Sequence, residues 1–160
     1  KNLNVALKLI LPTQELAKEA VLTSLSNTSL DPQSLPSSFF PVPIDPKWLS
    51  ICLEKLLDMV ILLSVNTPEH TVLVNVQKIE KNFQIIITGS SPQISEQEKS
   101  LLFEQYYGEL MNKTNLRLGS GLEGFIVKAL TTQLNIPLKV NLQANPARIT
   151  FELKFVKVAR

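Results

Sequence analysis

Apolar and polar residues alternate at the start of the chain. Val5, Leu7, Leu9 and Leu11 fall on one side of an extended segment, which predicts a strand over 4–11. At Pro12-Thr13 the pattern changes. Thr13 is an N-cap candidate, and Leu16, Ala20 and the Val21/Leu25 pair form the stripe of a helix. The run 26–38, rich in Ser, Asn, Asp and Pro, reads as a loop. Its prolines make 39–44 a short extended piece suited to an edge. Asp45-Pro46 is an N-cap followed by proline at the first helical position, and opens a helix over 47–63. That helix is apolar on most faces, so it is expected to be buried on more than one side.

Alternation then returns. Val72, Val74 and Val76 share one face of a strand over 71–77, and Phe83, Ile85 and Ile87 one face of a strand over 83–88. Residues 78–82 close the two as a hairpin. Gly89-Ser90-Ser91-Pro92 is expected as a turn. Ser95 with Glu98 three residues on is a helix-start signature. A polar stretch over 109–118 leads to a glycine-rich loop over 119–124. A helix follows to about Leu134, with Leu122, Phe125, Ile126, Ala129 and Leu130 as its expected face. Strands are expected over 138–142 and 148–156, the last with Ile149, Phe151, Leu153 and Phe155 inward. Hairpins with helices between them make the fold class α+β, a two-layer α/β sandwich.

The 160 residues fit one domain: a leading strand, helix and loop over 1–38 and a core over 39–156. A net charge of +2 argues against a nucleic-acid or membrane-surface partner held by charge. The most apolar run, 51–65, is interrupted by Glu54, Lys55 and Asp58, so no membrane span is expected. Cys52 stands alone, which excludes an internal disulfide and fits a reducing, cytoplasmic setting. With one His and one Cys, neither a nucleophile–base set nor a metal cluster can be assembled. Catalytic and metal-ligating residues are therefore expected to be none within this chain.

Four segments carry a resemblance: Asp45-Pro46-Lys47-Trp48-Leu49 with the run from Leu53 to Ser64; Ile87 to Ile94; Leu102-Phe103-Glu104-Gln105-Tyr106-Tyr107; and Gly119-Ser120-Gly121-Leu122-Glu123-Gly124-Phe125-Ile126-Val127-Lys128. In this order they resemble the catalytic ATP-binding domain of sensor histidine kinases, of the superfamily shared with gyrase and the ninety-kilodalton heat-shock chaperone. The resemblance covers about 39–155. It implies a mixed, mostly antiparallel sheet covered on one face by helices, and a piece of a longer sensor protein in two-component signal transduction. It also implies ATP with Mg²⁺ as the cofactor. The implied partners are upstream dimerisation helices, within a homodimer of the full-length protein, or another signalling protein.

The positions matching the family's nucleotide site are Lys55, Met59, Gly89, Ser91, Gln93, Gly119, Gly121 and Leu122. Several hold the wrong chemistry. Lys55 and Met59 stand where the family has two asparagines, the second a ligand of Mg²⁺. A thioether is too soft for that ion. Gly89 stands where an Asp accepts from the adenine amino group, while Ser91 and Gln93 replace two glycines beside it. Met59, Leu62 and Leu63 give the pocket wall an apolar lining, which core packing alone also explains. In the glycine loop Glu123 replaces a third glycine and adds negative charge at a helix N-terminus that otherwise favours anions. Lys113 and Lys128 are candidate phosphate contacts or plain surface lysines. Losing two such polar contacts, each worth about 1.5–3 kcal/mol, moves a micromolar site toward millimolar. His70, between Pro68-Glu69 and a strand, does not match the family's phosphoacceptor.

Three functions follow from these residues. One is a degenerate, pseudo-kinase module impaired in Mg-ATP binding and working through partner contact. The second is an active domain phosphorylating a His on an upstream helix. The third is an unrelated α+β interaction domain.

Overall fold

A computed structural model describes residues 5–10, 44–65, 67–79, 82–105 and 120–156. The helix expected after Thr13, the loop over 26–38, the extended piece over 39–43, Tyr106 and Tyr107, the stretch over 109–118 with Lys113, and Gly119 lie outside them. In chain order the elements are β1 (Val5–Ile10), α1 (Pro46–Val65), β2 (Thr71–Ile79), β3 (Asn82–Ser90), α2 (Glu96–Leu101), α3 (Glu123–Gln133), β4 (Leu138–Ala144) and β5 (Ala147–Val156).

The strands form one sheet in the order β1-β2-β3-β5-β4. Among the described residues all four neighbouring pairs are antiparallel. Short connections explain β2–β3 and β4–β5. A long connection with α2 and α3 inserts β5 beside β3 and leaves β4 at an edge. Cross-strand register stacks the expected faces: Val74 lies opposite Ile87, Ile87 opposite Phe151, and Phe151 opposite Val140.

That face is the core. Val72, Val74, Ile87, Ile149, Phe151, Leu153 and Phe155 are buried in one cluster with Cys52, Leu56, Leu57, Val60 and Leu63 of α1, and with Val127 of α3. Each large apolar side chain fully buried there contributes about 1.5–3 kcal/mol. α1 is buried on several sides, as its all-round apolar pattern requires. The opposite sheet face carries a polar ladder. Gln77 donates to Gln84 (3.1 Å), Gln84 to Glu152 (3.0 Å) and Asn141 to Glu152 (2.6 Å), across four strands.

Two expectations need correction. Gly89 and Ser90 are not turn residues: β3 continues through both, opposite Ile149 and Arg148. The ladder extends because β5 is long enough to pair with them. The buried stripe of α3 is Gly124, Val127 and Thr131, while Phe125 is 42% exposed. At Gly124 the Leu102 backbone carbonyl comes so close that no side chain fits there.

Candidate functional site

The matched positions fall on three neighbouring pieces: the middle of α1, the end of β3, and the loop into α3. Asp45 starts α1, its Oδ1 accepting from the Lys47 amide at 2.9 Å. Three turns on, Lys55 is half-buried with its ammonium 3.3 Å from Asp58 and 3.5 Å from Glu54. Burial alone lowers its pKa; the charges and hydrogen bonds of Asp58 and Glu54 outweigh that and leave it raised. Lys55 is thus an ion-paired side chain of its own helix.

Met59 is 5% exposed and belongs to the core. Its sulfur lies 3.4 Å from where a Cβ on Gly124 would stand. Met59 therefore touches the start of α3, and the position matched to the metal ligand is a packing contact between helices. No group of three His, Cys, Asp or Glu side chains able to hold a metal occurs among the described residues.

Gly89 faces the other flank of α1. A Cβ there would strike the Val60 side chain and come within 2.7 Å of the Ser64 hydroxyl. An Asp at this place has no room for even its first carbon. The reason is a buried hydroxyl cluster that draws the strand onto the helix. Ser64 donates to the Ser90 carbonyl at 2.9 Å, and the Thr67 hydroxyl lies 2.8 Å from the Ser90 hydroxyl. Ser90 Oγ in turn accepts from the Thr71 amide at 3.1 Å. Ser91 is buried and its amide donates to the Ala147 carbonyl at 3.1 Å, continuing the sheet; Gln93 is exposed.

The loop into α3 is ordered around Glu123. Gly121 is buried with φ 74°, a left-handed conformation that favours glycine. The Ser120 hydroxyl donates to Glu123 Oε1 at 2.8 Å, and the Ser120 amide donates to the same oxygen at 3.1 Å. Burial pushes the Glu123 carboxyl up. The amides of Glu123, Ser120 and Gly121 with the Ser120 hydroxyl more than offset this, and hold it below the usual carboxylate range. The donors that would cradle a phosphate here are turned onto the protein's own carboxylate. Leu122 caps the helix by its carbonyl, which accepts from the Ile126 amide at 2.9 Å.

Lys128 is exposed and paired with Glu104 at 3.1 Å. Phe103 sits edge-on to Phe151 with ring centroids 6.3 Å apart, which seats the segment after α2 on the core. A cavity of about 390 Å³ lies away from the matched positions, lined by Phe103, Lys128, Ile136, Leu138 and Val140 among others.

The side chains at the matched positions do not fit Mg-ATP. The metal position offers a buried thioether, the adenine position is closed by Val60 and Ser64, and the phosphate donors hold Glu123. The feature missed in the sequence is the second Ser-x-x-Glu signature, Ser120 to Glu123, which has the same form as Ser95 to Glu98. No protein-family model and no curated protein matches this chain.

Proposed function

We propose that this chain is a degenerate histidine-kinase-like domain, a signalling module that acts through conformation and partner contact without tight Mg-ATP binding. The carrying observation is the Glu123 carboxylate, held by the Ser120 hydroxyl and amide in the glycine loop. An anion entering that loop must displace a carboxylate already bonded there. The close packing of Gly89 on Val60 and Ser64, and of Met59 against Gly124, supports the same reading. The partners remain the upstream dimerisation helices or another signalling protein, in a two-component-type setting and in the cytoplasm.

Isothermal titration with ADP or ATP plus Mg²⁺ tests the reading. Binding no tighter than millimolar is expected, and a micromolar dissociation constant overturns it. The active-kinase reading predicts transfer of labelled γ-phosphate to a histidine on a supplied upstream helix. The degenerate reading predicts no labelled protein in that assay.

A further inference from the structure

β4 is the last strand of the sheet, and among the described residues none pairs with its outer edge. The backbone pattern fixes which groups point there. The Lys154 amide donates to the Pro137 carbonyl, so residues 137 and 154 form a hydrogen-bonded pair. Bonded and non-bonded pairs alternate along an antiparallel ladder. Lys139 and Asn141 therefore bond β5, opposite Glu152 and Thr150. Leu138, Val140 and Leu142 turn their amides and carbonyls to the free edge.

The same three residues form the core-side face of β4 and stay only half-buried. Leu138 and Val140 also line the 390 Å³ cavity, with Ile136, Phe103 and the exposed flank of α3 on its other side. An edge unpaired among the described residues and a groove apolar along β4 and Phe103 but polar along Lys128, Thr132 and Asn135 thus meet along one strand, the arrangement that takes up an added strand.

We propose that the strand added here is β4 of a second copy of this chain, antiparallel about a two-fold axis at Val140. The sequence Leu138-Lys139-Val140-Asn141-Leu142 is self-complementary in that register. Val140 meets Val140 of the second copy, and Leu138 meets Leu142. On the opposite face Lys139 meets Asn141, so no like charges stand directly opposite. The edge-facing amides and carbonyls of 138, 140 and 142 are the ones such a pairing bonds. The apolar side chains of each copy extend the core-side face of the other toward its groove. A pairing about five residues long is smaller than a standard interface, so the dimer belongs to the weak, transient class. The proposal is independent of the nucleotide reading.

The test is sedimentation equilibrium of the 160-residue chain from micromolar to millimolar concentration, with two kinds of variant. Val140→Pro removes an edge-facing amide but no bond to β5, so far-UV dichroism and melting should report a folded chain. Its dimer dissociation constant should rise at least about tenfold. Val140→Cys brings two thiols together at Cα separations of about 5.5 Å, within disulfide reach, and should cross-link on oxidation. Gln143→Cys, displaced along the strand, should not, and buried Cys52 does not compete. A chain that stays monomeric throughout overturns the proposal, whether or not it retains an extended peptide. So does a dimer that is unchanged in Val140→Pro, or cross-linking that is equal at 140 and 143.

Discussion

A methyl group added at Gly89 would strike a side chain, whereas one added at Gly124 would strike the Leu102 backbone carbonyl. The Val60 side chain and the Ser64 hydroxyl give way only in part; a carbonyl fixed between α2 and its following turn cannot give way at all without moving the chain. Gly89→Ala is therefore expected to cost about 1–3 kcal/mol by overpacking, and Gly124→Ala the upper end of that range or more. Urea unfolding of both variants checks the order, and equal costs would contradict the packing described. Glu123 gives a pH-dependent prediction. Its folded pKa is depressed, so its stabilisation is present above the ordinary carboxylate value of 4.5 and is lost as pH falls through the lower folded value. The stability gap between the natural chain and Glu123→Gln should be open at neutral pH and shrink in acid. A gap that persists unchanged at pH 3 would remove the role assigned to its hydrogen bonds. At this scale the sequence is legible where a rule is local. Asp45 and Ser95 are readable as caps; Ser120 to Glu123 has the same spacing but does not cap, since α3 starts at Glu123 behind Leu122. That Gly89 is closed off by Val60 depends on a contact between residues far apart in the chain, which no local pattern encodes.

Elements built on alternation were legible to within about two residues at each end. The inward set Ile149, Phe151, Leu153 and Phe155 is buried as a period of two requires. The face of α3 was not: hydrophobicity alone chose Phe125 and Ile126, while the buried stripe is Gly124, Val127 and Thr131, with Gly124 set against the Leu102 carbonyl. Strand length was underestimated at β3 for a related reason: Gly89 and Ser90 look like turn residues, and only their partners on β5 make them strand. The hydroxyl cluster holding the end of α1 to β2 and β3 is a consequence of that extension. Thr67→Val removes the hydroxyl that reaches the Ser64 carbonyl and the Ser90 hydroxyl, while Ser90 keeps the Thr71 amide, and is expected to cost about 0.5–1.5 kcal/mol. Ser90→Ala should cost a similar amount, and the double variant less than the sum, since both changes break one network. Additive costs in chemical denaturation would show instead that the two hydroxyls act separately.

At the scale of the whole molecule, the order of elements, the single-sided core and the long connection carrying α2 and α3 all follow from the hydrophobic pattern. What a ligand meets does not, because it depends on three separate packings converging: Met59 on Gly124, Val60 and Ser64 on Gly89, and the loop amides on Glu123. Each closes a different part of the matched site, so relieving one is not expected to open it. Glu123→Gly frees the loop donors but leaves a thioether at the metal position and no space at residue 89. Thermal melting in millimolar Mg-ATP measures this directly. A micromolar site under those conditions would stabilise the fold by about 4 kcal/mol through mass action. For a domain of this size that raises the melting temperature by roughly 10 °C. Both the natural chain and Glu123→Gly should instead melt within about a degree of their nucleotide-free values. A shift near the full amount in the variant alone would mean that Glu123 by itself holds the site shut, with Met59 and Gly89 no obstacle to the nucleotide.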